Sequence, residues 1–228
     1  MAVVVTFNPL ALRRSVMLGQ KTGGGGGLPA GYTQLKYIET NGPQLIITDA
    51  MITDYTDIVR ATGAFTTGAQ QSDYFIHGGV AGRWVNFVGS NSRQSPYTQK
   101  PVIVQYSARL NYTKPLVDVG TFVTAEGNPN NNTVTIDGVV YNPTDRWDRY
   151  EVTPGYYRLF GSSDSAGTSY VKLQSAEVVG KGLFIPCMRD ADGVAGVCNT
   201  ITGNFMTNTG TGTLGYETMD GVYVAPTN

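Results

Sequence analysis

From Leu28 onward the sequence is a succession of short apolar runs, many alternating with polar residues, each cut off within a few positions by Gly, Asn, Pro or Asp. A half-buried strand needs only roughly four to eight residues of period two, whereas an amphipathic helix needs a longer unbroken rhythm. Punctuation this dense leaves an all-β sandwich or barrel as the fold within reach. Tyr37–Thr40 and Gln44–Thr48 flank Asn41-Gly42-Pro43, and Asp57–Thr62 follows; these are expected to open a meander. Asp73–His77, Arg83–Val88 and Val102–Tyr106 are further strand candidates, and Asn128–Asn132 is a loop. Thr133–Ile136 and Val139–Tyr141 enclose Asp137-Gly138, which suits a type I′ hairpin because both central positions of that turn need positive φ.

Composition agrees with this pattern. The 228 residues fit one all-β unit, since sandwiches run to roughly 200–250 residues. Hydrophobic residues make up 41% of the chain, enough for a core, while charged residues are only 14%, so polarity rests on Thr, Asn, Ser and Gln. The 29 Gly and 14 Tyr suit tight turns and pleated, half-buried surfaces. A formal charge of −1 leaves no basic surplus for phosphates, so nucleic acid is not expected as a partner. No apolar run approaches the ~20 residues that span a bilayer, so no membrane insertion is expected. Ala2–Phe7 is apolar, but Arg13-Arg14 follow it, the reverse of an export signal's order, so none is expected.

Gly23–Gly27 is five glycines with no side chains to pack, the mark of a flexible linker. It divides an N-terminal arm, residues 1–22, from a sandwich domain, residues 28–228. Val3–Phe7 is β-branched and aromatic, and Asn8-Pro9 offers a cap and a first helical residue for a short helix ending at Gly19. Its apolar side chains are too few for a core and need an outside surface. The arm is therefore expected to be an attachment peptide, with Val4, Phe7, Leu10, Leu12, Arg13, Arg14 and Met17 as contact residues. A frayed terminus, or a segment folding back on its own chain, is the alternative.

Two stretches carry a family resemblance: Leu28-Pro29-Ala30-Gly31-Tyr32-Thr33-Gln34-Leu35-Lys36-Tyr37-Ile38-Glu39-Thr40, and the run from Tyr157 to Gly212. Within the second, Tyr170–Val178, Leu183-Phe184-Ile185-Pro186-Cys187 and Gly193–Gly212 follow the family's order and spacing. The chain thus resembles the laminin-G-like, concanavalin-like domains of bacteriophage structural proteins and some bacterial surface proteins. Ser90 to Gly155 departs from that pattern, with Asn128–Asn132 and Thr144–Tyr150 as apparent elaborations. The resemblance implies a two-sheet antiparallel jelly-roll sandwich, consecutive hairpins at the C-terminal end, and a virion or surface-adhesion setting.

Candidate chemistry is thin. Asp145, Asp148 and Glu151 form the nearest carboxylate cluster, but not at the spacing a glycosidase of this fold uses, and a solvated turn explains them. His77 is the only histidine, and its neighbour Ser72 is not in a nucleophile elbow, so a structural role is expected. Cys187 and Cys198 with one distant histidine do not make a zinc site. Asp190, Asp192 and Asp164 lack an organised calcium series. No metal and no cofactor are expected. The two cysteines lie on adjacent strands of one expected hairpin, so a cross-strand disulfide is open if the register brings their Cα atoms within about 7 Å. The resemblance, in which the first cysteine commonly lacks a partner, implies instead a small buried thiol.

Carbohydrate is the ligand class the residues favour, through aromatic faces and Asn, Asp and Arg donors and acceptors. Trp84, Trp147, Tyr150, Tyr156 and Tyr157 are the aromatic candidates, and Trp147 among Asp145, Arg149 and Tyr150 is the expected glycan contact. Packing over the sandwich edge, or a subunit contact, is the competing role for Trp147. The expectation is a non-enzymatic phage virion protein, a capsid-decorating head fibre or tail-associated appendage. It would be held by its arm to a capsid or tail protein and assembled in the host cytoplasm. A homo-oligomer, trimer or dimer, would multiply weak arm contacts. A bacterial carbohydrate-binding adhesin and an unusual glycosidase are the alternatives.

Overall fold

The computed structural model describes residues 27–53, 56–67, 72–80, 83–91, 98–106, 110–143, 154–161 and 169–228, with backbone alone at 72, 80, 83–87, 91, 105–106 and 110–115. The arm, with all seven of its expected contact residues, and Gly23–Gly26 of the linker lie outside the described residues. In chain order the strands are β1 (Tyr32–Glu39), β2 (Ile46–Ile52), β3 (Val59–Phe65), β4 (Ser72–Val80), β5 (Arg83–Asn91) and β6 (Gln99–Tyr106). Then come β7 (Leu110–Asp118), β8 (Val123–Asn128), β9 (Thr133–Ile136), β10 (Val139–Tyr141), β11 (Gly155–Leu159) and β12 (Val171–Val178). The last five are β13 (Gly182–Arg189), β14 (Val194–Asn199), β15 (Phe205–Thr207), β16 (Gly215–Thr218) and β17 (Tyr223–Val224).

These strands make two antiparallel sheets packed as a jelly-roll sandwich. One has six strands in the order β2-β11-β4-β5-β6-β7; the other has eleven and runs β10-β9-β8-β3-β12-β1-β13-β14-β15, with β16 and β17 added beside β1. The expected hairpin is present: β9 and β10 pair through Val139↔Ile136, and Asp137 (φ 48) and Gly138 (φ 80) both take positive φ. The β13–β14–β15 hairpins at the C-terminal end are present as well.

The meander expected from β1 through β3 does not form. β1 lies in the larger sheet against β12, β13 and β16, β2 crosses to pair with β11, and β3 pairs with β8 and β12. The reason is the segment between β1 and β2, which is fastened at a distance rather than closed as a turn. Gly42 bridges to Ser169, and the Gln44 side chain donates to Asn41 Oδ1 (2.8 Å) and to the Thr227 carbonyl (2.7 Å). A true meander begins only at β4 and continues through β7.

Alternation sets the core. On β2, Ile46, Ala50 and Ile52 point inward, while Ile47, Asp49 and Met51 point out. Phe65 of the larger sheet stacks on Phe75 of the smaller at 4.8 Å between ring centroids, and a Cβ on Gly63 would meet both the Lys172 carbonyl and the Phe75 ring at 2.6 Å. Only glycine therefore lets β3 approach this closely. Phe75 and Ile76 are consecutive and both belong to the core, because β4 carries an irregularity between Tyr74 and Ile76 against β5. An extra residue there reverses the parity of the strand. Asp73 consequently faces the core, while Tyr74 packs with Ile103 in a separate cluster and meets the His77 ring edge-on at 5.2 Å.

Asp73 is wholly buried and ion-paired with Lys100 of β6, itself 1% exposed, whose ammonium lies 5.9 Å from the centre of the Phe65 ring. The other carboxylate oxygen accepts from the Tyr170 backbone N–H at 2.7 Å, just before β12 in the opposite sheet. Next to it the Tyr74 N–H donates to Ser169 Oγ (2.9 Å), and Thr40 Oγ1 donates to the Ser169 carbonyl (2.8 Å). Burial pushes the Asp73 carboxyl up to about 6, against the opposing pull of Lys100 and the Tyr170 N–H. Removing one partner of such a pair strands a buried charge, at about 3–5 kcal/mol, whereas replacing both by apolar groups costs far less. Asp73→Asn is therefore expected to lower stability in urea unfolding by roughly that amount, and Asp73→Leu with Lys100→Met to recover most of it.

Candidate functional site

The four residues expected to contact glycan, Asp145, Trp147, Arg149 and Tyr150, lie outside the described residues, as do Asp148, Glu151 and Asp164 and the side chain of Trp84. What the structure does place is the strand that follows them. β11 alternates so that Tyr157 and Leu159 point into the core, each 0% exposed, while Tyr156 and Arg158 point outward from the six-stranded sheet. Tyr157 is thus corrected from a surface aromatic to a core residue; its hydroxyl donates to Asp57 Oδ2 at 3.0 Å.

Register assembles the outward face around β11. Tyr156 lies opposite Met51 of β2, and Arg158 lies between Ile47 of β2 and His77 of β4. Tyr156, Met51 and Ile47 are 46%, 45% and 40% exposed, so three apolar side chains are left open on one sheet face. On the same face Arg158 holds Nε and Nη1 as buried donors without a hydrogen-bond acceptor among the described residues. An exposed aromatic ring among open apolar side chains is a surface suited to covering the apolar C–H groups of a sugar or another polyhydroxylated ligand. The sequence reading named Tyr156 but missed Arg158. The signal was available in Gly155-Tyr156-Tyr157-Arg158-Leu159, where Arg158 shares the parity of Tyr156.

Beside this face the β2 edge is latched to the β14–β15 turn. Asp49 accepts from Asn199 Nδ2 (2.7 Å), Thr202 Oγ1 (2.6 Å) and Asn204 Nδ2 (2.7 Å). At the strand's far end, Lys181 pairs with Asp57 at 2.7 Å and donates to the Met51 carbonyl (3.0 Å). Other carboxylates are also engaged: Arg60 bridges Glu126 and Glu177, Arg189 holds Asp192, and Thr33 Oγ1 donates to Asp190. His77 is fully buried against Tyr74. Cys187 and Cys198 are buried on neighbouring strands, not directly opposite one another.

Set beside known proteins, the chain matches no family model and no curated protein.

Although burial opposes it, the three donors hold the Asp49 carboxyl below its ordinary value. A depressed folded-state pKa stabilises the fold above the unfolded value, and that contribution is lost as pH falls through the folded one. Asp49→Asn is accordingly expected to flatten the loss of stability below about pH 4, read as urea midpoints across an acid series.

Proposed function

We propose that this chain is a non-enzymatic structural protein of a bacteriophage virion, a capsid-decorating head fibre or tail-associated appendage. It is anchored to a capsid or tail protein by the arm of residues 1–22, and its sandwich offers a lectin-like face to host-surface glycans. The observation that carries the binding half is the outward face of β11, where Tyr156 stands exposed together with Met51 and Ile47 of β2. The anchoring half rests on the sequence: an arm with an apolar, basic segment, set off by five glycines, and the motif resemblance of Leu28–Thr40 and Tyr157–Gly212. The jelly-roll architecture is compatible with both. A homo-oligomer would present several arms and several faces at once, raising the avidity of each.

On a glycan array, the full chain is expected to bind a subset of glycans, and Tyr156→Ala to weaken that binding about tenfold or more, as loss of an aromatic anchor does. Unchanged binding by the variant would remove this face from the proposal. In co-sedimentation with purified virions or capsids, the full chain is expected to pellet and a chain beginning at Leu28 to remain in solution. Pelleting of both would place attachment on the sandwich itself.

A further inference from the structure

The outer face of the eleven-stranded sheet carries a group that the binding reading does not use. β13 and β14 pair with Ile185 opposite Cys198 and Cys187 opposite Gly196, so the two cysteines are diagonal neighbours on one face. The opposite parity, Phe184 and Val197, belongs to the core between the sheets. Both cysteines are 0% exposed, and their Sγ atoms lie 2.7 Å apart. Their surroundings are closed by design of the sequence. A Cβ on Gly196 would sit 2.9 Å from two atoms of the Phe205 ring, so glycine is what lets that ring lie against β14. Tyr32 packs on Phe205 at 5.2 Å between centroids, and the Arg189 guanidinium lies 5.1 Å from the ring's centre.

We infer that Cys187 and Cys198 are the two halves of a disulfide, made as the chain folds by exchange with a low-molecular-weight disulfide such as oxidised glutathione. One cysteine, as thiolate, attacks a reagent sulfur, breaks the reagent's S–S bond and expels one small thiolate, leaving a mixed disulfide. The second cysteine thiolate then attacks the protein-side sulfur of that mixed disulfide, forms the Cys187–Cys198 bond and expels the second small thiolate. Two electrons pass from the cysteines to the reagent, and the two protons they lose end on the two released thiols. The timing follows from burial. Desolvation raises both thiols above their ordinary range, and with both sulfurs inaccessible a reagent cannot reach them in the folded state. Exchange therefore belongs to the interval before Phe205 and Tyr32 close over the strands, and the finished bond is shielded from reductants by the same cover.

The test uses the full chain, unfolded with reductant and refolded either in reduced glutathione alone or in a mixture of reduced and oxidised glutathione. Each sample is then denatured, alkylated with iodoacetamide and weighed. The oxidised sample is expected to carry no adduct and to weigh about 2 Da less than the unmodified reduced chain. It is also expected to melt about 5 °C or more above the reduced form, because the bond closes a short loop of the unfolded chain. Cys187→Ser and Cys198→Ser, refolded in the same mixture, are each expected to end with one adduct, alkyl or glutathione. Two alkyl groups on the oxidised wild type, or glutathione left on either cysteine, overturns the inference. An oxidised form that melts no higher than the reduced one places the bond outside the native packing and overturns it as well.

Discussion

The buried pair of Asp73 and Lys100 is where the two sheets are committed to each other. Both residues belong to the six-stranded sheet, yet the second oxygen of the carboxylate is taken by the Tyr170 N–H at the entry to β12 in the other. One side chain therefore reads three strands at once. Its inward direction depends on the irregularity in β4 between Tyr74 and Ile76, without which Asp73 and His77 would share a face. An ion pair in such a place adds little net stability over apolar packing, but a register slip that turned Asp73 outward would leave Lys100 alone in the core. The pair thus penalises wrong pairings of β4 more than it rewards the right one.

From this knot the rest of the sandwich follows in layers. The Phe65–Phe75 stack lies beside it, made close by Gly63, and the two inner faces fill outward from there. At the other end of β11 the Asp57, Tyr157 and Lys181 contacts tie the sheets a second time, and the Asp49 and Gln44 hydrogen bonds fasten the β2 edge to the C-terminal segments. With β11 pinned on its inner side by Tyr157, the outward positions of Tyr156 and Arg158 are fixed by alternation alone. The orientation of the candidate binding face is thus set by the core packed beneath it.

Local patterning was legible from the amino acids. Asp137-Gly138 specified its turn, the C-terminal runs specified three successive strands, and the resemblance of two stretches pointed to the sandwich that is observed. Partner choice was not legible for β1 to β3, because the bonds that redirect the connection come from Ser169 and Thr227, far along the chain. Nor did the sequence betray Lys100 as a core residue, since a lysine between Gln99 and Pro101 reads as solvated until Asp73 is known to be turned toward it. The separation of Tyr156 from Tyr157 was available from parity, but only once Gly155–Leu159 was recognised as a strand.

The placement of β1 also bears on biosynthesis. β1 is flanked by strands from the last third of the chain, and the Lys36–Glu217 contact joins residues 181 positions apart. At about 5–20 residues per second, the ribosome delivers that partner some ten seconds or more after β1 has emerged. Until β12 and β13 emerge, β1 has none of its partners in the larger sheet. The larger sheet therefore closes late in synthesis, once the strands that follow Val171 are available to flank β1.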